Sequence, residues 1–181
     1  NFGALTNIAL SSKSVNAGAG NKGLGFRSVL HICSWPEIFS KGADSQQFDG
    51  YCFGFADDTE LEQIVTAMGC REHLEAVRTT IPRLFLPVPR DPQALLPARF
   101  MEHGLATVVR LPLSSQSARA AVEKQLSWLR GLDTPLQLFL SRIAVIRVSQ
   151  SHGESFELAR SVVERHELPG SIVAQVVKVG S

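Results

Sequence analysis

The stretch Gly18 to Ser28, GAGNKGLGFRS, carries glycines at two overlapping phosphate-loop spacings. Gly18, Gly20 and Gly23 fit G-x-G-x-x-G, the dinucleotide fingerprint, whereas Gly20, Gly23 and Gly25 fit G-x-x-G-x-G. The chemistry either spacing could perform is anion binding. Backbone N–H groups from Gly20, Asn21, Lys22, Gly23, Leu24, Gly25 and Phe26, directed out of a helix N-terminus, can donate to phosphate oxygens while the helix dipole favours their charge. Glycine lets the backbone come close without a Cβ clash. A Rossmann loop needs a hydrophobic strand running into its first glycine, and here the preceding residues are the largely polar SSKSVNA. No Gly-Lys-Ser/Thr occurs, which excludes a Walker A loop. A plain glycine-rich turn capping a helix is the structural alternative.

Two His/Cys pairs, His31-x-Cys33 and Cys70-x-x-His73, supply zinc-ligand residue types, but neither matches a common zinc spacing. No third group stands out to orient either histidine as base for a cysteine nucleophile. Buried thiols and surface imidazoles are the expectation, and no metal site is assigned. Trp35 and Trp128 are expected in a core or a domain interface. Arg and Lys are scattered, not interleaved with exposed aromatics, so no nucleic-acid surface is expected.

The elements that must position these groups follow from periodicity and punctuation. Phe2, Leu5, Ile8 and Ala9 recur at helical spacing, and SSKSVNAGAGNKG (11–23) has the composition of a loop. Leu24 to Ile32 reads as a helix fed by that loop, closed by Pro36. PEIFS and SQQFDGYCFGF read as strands joined by a turn. A helix is expected from about Thr59 to Met68, with Leu61, Ile64, Val65 and Met68 on one face and Asp57, Asp58 and Glu60 near its start. Five prolines in PRLFLPVPRDPQALLP (82–97) predict an extended connector with no helix. HGLATVVRLPL is a strand, and a helix from about Ser117 to Leu132 should turn Ala121, Val122, Leu126 and Leu129 inward. A strand at Ala144 to Val148, a helix over SFELARSVVERHEL and a terminal strand over GSIVAQVVKVGS complete the outline.

With 181 residues, 44% of them hydrophobic, the chain can bury one ordinary core, or one domain and part of a second. Its net charge of +1 gives no global attraction to nucleic acid or an anionic membrane. No apolar run approaches the roughly 18 residues of a membrane span, so no membrane partner is expected. Three cysteines are too few and odd in number for a disulfide framework, which points to a reducing, cytoplasmic setting.

The ordered set SSK, GNKGLGFRSVL, PEIFS with FDGYCFGF, and GLATVVRLPL resembles the GHKL ATPases of the Bergerat fold, and within them the sacsin-like branch. The resemblance covers about residues 1–115. It implies an α/β fold, a two-layer α+β sandwich in which a mixed sheet is backed by helices, with residues 1–115 as an incomplete ATP-binding domain. Residues 116–181 would then be a helix-strand segment beginning a second domain. The resemblance implies that Gly20 to Phe26 lie over the triphosphate of ATP, that the Lys13 ammonium reaches the phosphates, and that Lys22 sits within the loop. It also implies that Thr107 faces the adenine pocket. The family's general base Glu, its Mg²⁺-coordinating Asn and its D-x-G segment normally precede the glycine loop, and residues 1–17 hold none of them. The chain is therefore expected to be a fragment that does not hydrolyse ATP alone and has no catalytic residue of its own. The implied partners are ATP, and protein clients or a second copy engaged through later domains. The alternative is a non-hydrolysing scaffold or interaction module that keeps the fold.

Overall fold

The computed structural model describes residues 26–102, 104–131, 140, 143–151, 155–168 and 172–180. Among them, one compact unit runs from Phe26 to Arg119 and a second from Ala120 to Gly180.

In the first unit, PEIFS forms β1 (Glu37–Ser40) and FDGYCFGF forms β2 (Cys52–Phe55). They pair antiparallel with Ile38 opposite Phe53 and Phe39 opposite Cys52. Strand β3 (Pro87–Pro89) adds to the far side of β2, and β4 (Thr107–Arg110) adds to β1, giving the order β3-β2-β1-β4. Every pairing in this sheet is antiparallel. Strand alternation then puts Glu37, Phe39, Cys52, Gly54, Val88, Val108 and Arg110 on one face. Ile38, Ser40, Phe53, Phe55, Pro87, Pro89, Thr107 and Val109 fall on the other. Phe39 is fully buried against Phe48 and Leu96, with Leu95, Phe100, Met101, Leu105 and Val108 packed around them.

Phe26–His31 forms a 3-10 helix, within the stretch Leu24 to Ile32 where the sequence predicted a helix; Leu24 and Gly25 lie outside the described residues. The exit of this helix is fixed to the sheet. Cys33 bridges Leu113, and the Ser114 amide donates to the Ile32 carbonyl at 2.9 Å.

Helix α1 (Asp58–Ala67) begins on a capping box. Asp57 Oδ1 accepts from the amides of Thr59 and Glu60 at 2.9 and 2.8 Å, and Glu60 Oε2 accepts from the Asp57 amide at 3.1 Å. Its last turn closes as a Schellman motif, with Gly69 N–H to Thr66 carbonyl and Cys70 N–H to Val65 carbonyl, both 3.0 Å. That closure needs a left-handed residue, and Gly69 supplies φ +70°. Leu61 and Val65 are its buried positions, whereas Met68, expected on the same face, is exposed.

A second helix, α2 (Leu74–Thr80), follows without having been read from the sequence. The proline-rich segment corrects its own prediction. It holds the 3-10 turn Arg83–Phe85, strand β3 and the one-turn helix α3 (Pro92–Leu95), followed by α4 (Ala98–Glu102). Pro92 is accommodated because the first helical position has no intrahelical partner for its missing N–H, and Asp91 caps the turn through the Gln93 amide.

Helix α5 (Gln116–Arg130) starts at Ser115, whose hydroxyl accepts from the Ala118 amide at 3.1 Å. Val122, Leu126 and Leu129 are half-buried as expected, but Ala121 is exposed and Trp128 is 58% exposed, so Trp128 is not a core residue. In the second unit, β5 (Val145–Val148), β6 (Phe156–Leu168) and β7 (Ile172–Gly180) form an antiparallel meander. The helix expected over SFELARSVVERHEL is thus a strand, with a bulge between Val162 and Glu164. Its apolar residues are compatible with either period, and pairing with β5 and β7 decides.

Candidate functional site

Of the residues assigned to nucleotide binding, Lys13, Gly20, Asn21, Lys22, Gly23, Leu24 and Gly25 lie outside the described residues. Phe26 opens the 3-10 helix and is half-buried. Thr107 opens β4 opposite Ser40, with its side chain exposed. It shares its sheet face with Ile38, Phe53 and Val109.

The opposite face carries an ion-pair cluster that sequence reasoning missed. Glu37 is the buried charged residue there, and it accepts from Arg110, its cross-strand neighbour on β4. Arg90 Nε stands 3.6 Å from the other Glu37 oxygen, and its two terminal nitrogens grip Glu60 at 2.6 and 2.8 Å. This bidentate fork ties the first turn of α1 to the sheet. Gly54 makes room for it. A Cβ at position 54 would stand 2.8 Å from Arg90 Nε and 3.2 Å from Glu37 Cγ. The Arg90 hydrogen bonds hold the Glu60 carboxyl below the usual carboxylate range, against the opposing effect of burial. Glu60 in turn pushes the Arg90 guanidinium up. Guanidinium groups engage both carboxylates, so the cluster acts as a clamp between α1 and the sheet.

Asp57, Asp58 and Glu60 announced the start of the helix, but nothing in the sequence announced Arg90. Arg90 lies 30 residues from Glu60, and Arg110 lies 73 from Glu37.

Burial pushes the thiols of Cys33 and Cys52 up, away from the reactive thiolate form. Among the described residues no three His, Cys, Asp or Glu side chains gather where they could hold a metal ion. An apolar groove of about 380 Å³ runs along β2 and β3, lined by Tyr51, Phe53, Pro87 and Pro89 among others. A cavity of about 80 Å³ lies between Trp35, Leu61, Val77, Ile81 and Leu86. Thr107 lines neither. No described helix is long and apolar enough to cross a membrane.

Fold and side chains together define a mixed α/β protein whose first unit is an antiparallel four-stranded sheet with helices. No protein-family model, no curated protein and no solved structure matches the chain.

Proposed function

We propose that the chain is the nucleotide-binding part of a sacsin-like, chaperone-type GHKL ATPase of the Bergerat fold, working in the cytoplasm. In this reading ATP with Mg²⁺ orders the loop from Ser14 to Gly25, and closure of that lid drives a conformational change in a larger protein. One observation carries it. Three of the pieces of sequence that resemble the family lie on one sheet: the strand from PEIFS runs between those from FDGYCFGF and GLATVVRLPL. Just past the 3-10 helix, the Ile32 carbonyl accepts from the Ser114 amide in the segment that follows β4.

Thr107 fits a purine site in one respect, because its side chain is exposed at the start of β4. Glu37 and Glu60 do not fit as magnesium ligands or as the general base, since guanidinium groups already occupy them. Bound ATP would supply phosphate charge that, in this reading, the Gly20–Phe26 amides and Lys13 would receive.

The test is calorimetric titration of ATP into this chain and into a version extended upstream. The extended form is expected to bind. Lys13→Ala should weaken it by roughly 10-fold or more, the loss of one charge-assisted contact. Gly23→Val should abolish it by obstructing the loop. No binding by either form would refute the reading and leave the non-hydrolysing interaction module in its place.

A further inference from the structure

Asp49-Gly50 is the chain's only Asp-Gly or Asn-Gly step, the kind of pair whose main chain rearranges most readily because glycine puts no side chain in the way of ring closure. The rearrangement needs two groups to meet, the Gly50 nitrogen and the carboxyl carbon of Asp49. Both residues are exposed, so water reaches them. What restrains them is hydrogen bonding, not burial.

The connection between β1 and β2 engages each group separately. The Gly50 amide donates to the Ser40 carbonyl at 3.0 Å, which directs its N–H to the end of β1. Asp49 Oδ1 accepts from the Gly42 amide at 3.0 Å, which holds the carboxyl on the segment that follows β1. The Ser45 hydroxyl and the Gly42 amide together keep that carboxyl below the usual carboxylate range, in the ionised form that is slow to lose an oxygen as water. One step further along, the Ser40 hydroxyl accepts from the Tyr51 amide at 2.9 Å, and the Ser40 amide donates to the Tyr51 carbonyl at 2.9 Å. The fit around Gly50 is tight: a Cβ there would stand 2.8 Å from the Lys41 carbonyl oxygen and 3.0 Å from that of Ser40.

We propose that Asp49-Gly50 is a latent isoaspartate site, closed while the β1–β2 connection is paired and reactive when that connection opens. On opening, the Gly50 nitrogen attacks the protonated Asp49 carboxyl. A C–N bond forms, the amide hydrogen and the carboxyl hydroxyl leave as water, and the product is a cyclic succinimide. Water then adds back to one of its two carbonyls. Cleavage of the bond from nitrogen to the side-chain carbonyl restores aspartate. Cleavage of the bond to the main-chain carbonyl sends the chain through the Asp49 side chain, with one extra methylene and a free carboxylate on Cα. The net change is an isomerisation that needs no partner but water. The added methylene falls where Gly50 packs against Ser40 and Lys41, and the bond from the Gly42 amide to Oδ1 is lost. The isomerised connection cannot pair as before, so an opening that completes the reaction is recorded in the chain. The inference is independent of nucleotide binding.

Peptide mapping by mass spectrometry tests it, on the full 181-residue chain incubated near neutral pH in native buffer and in guanidinium chloride, with isoaspartate at position 49 as the readout. The native rate should lie about 10-fold or more below the denatured rate, because only the opened fraction reacts. Ser40→Ala deletes the hydroxyl that holds Tyr51 and leaves Asp49 and Gly50 as they are. It should raise the native rate by about 5-fold, the worth of one such bond, and leave the denatured rate unchanged. The purified isomerised chain should unfold at a lower denaturant midpoint than the unmodified one. Equal rates in the native and denatured chain, a folded Ser40→Ala protein with the wild-type native rate, or an isomerised chain as stable as the unmodified one would overturn the proposal. If Ser40→Ala does not fold, the two wild-type rates decide.

Discussion

Replacing Arg90 by Met keeps an apolar stem over Gly54 and deletes the guanidinium that joins α1 to the sheet. Two short bonds to Glu60 are lost, together with the 3.6 Å approach to Glu37. A hydrogen bond to a charged group contributes about 1.5–3 kcal/mol, and stripping one partner from a buried pair costs about 3–5 kcal/mol. The loss here is tempered from both sides. The Glu60 side chain is 28% exposed and rehydrates in part, while Glu37, only 10% exposed, keeps Arg110. We expect a net destabilisation of about 2–4 kcal/mol, or roughly 10–25 °C in Tm for a unit of this size. Urea unfolding followed by circular dichroism should show a lower midpoint at unchanged slope.

Glu60→Gln refines the test, because glutamine still serves the capping box but removes the charge. Glu60→Gln should cost less in the Arg90→Met background than in wild type, with a coupling energy of about 1–2 kcal/mol. The sign of the pH dependence follows from the depressed Glu60 carboxyl. A folded-state value below the ordinary 4.5 contributes stability that is fully present above 4.5 and is lost as pH falls from there toward the depressed value. That acid limb should flatten in Arg90→Met. An Arg90→Met protein within about 0.5 kcal/mol of wild type, or strict additivity with Glu60→Gln, would refute the clamp.

Two further outcomes follow from the local geometry. Asp57→Ala removes the acceptor for two amides at the start of α1 and should cost about 1–2 kcal/mol in urea unfolding, with the second unit unaffected. Thiol titration of the native protein should label Cys70 faster than Cys52 by about 10-fold or more, with Cys33 reacting only on unfolding. Cys33 has no exposed surface, and the Cys52 thiol donates to the Phe48 carbonyl at 3.2 Å.

Much of the fold was legible along the chain. Strands β1, β2 and β4 were marked by aromatic and β-branched runs bounded by Pro36, Asp49-Gly50 and Pro112, and α1 by its acidic first turn ahead of Leu61 and Val65. These signals act between residues a few positions apart, where caps, turns and side-chain period operate. SFELARSVVERHEL misled because Phe156, Ala159 and Val162 recur at helical spacing while Phe156 and Leu158 alternate as in a strand. The chain pattern is ambiguous there, and the ladder to β5 and β7 resolves it. The proline-rich connector misled differently: its prolines read as extended backbone, yet Pro92 begins a helical turn under an Asp91 cap.

By itself, then, the sequence determined that β1, β2 and β4 are strands, the acidic start of α1, and the ordered motifs from which nucleotide binding is proposed; that the sheet is antiparallel where a mixed sheet was expected came from the pairing. Only the tertiary structure decided which charges meet. Glu37, Glu60 and Arg110 come from β1, α1 and β4, and Arg90 follows β3, so no local spacing encodes their contact. The same holds for the sheet edges. Two prolines in β3 are visible in the chain, but only the register shows that both turn away from β2 and that the main chains of Thr107 and Val109 turn away from β1. Side-chain period is written residue by residue, whereas hydrogen-bond parity exists only once two strands have paired.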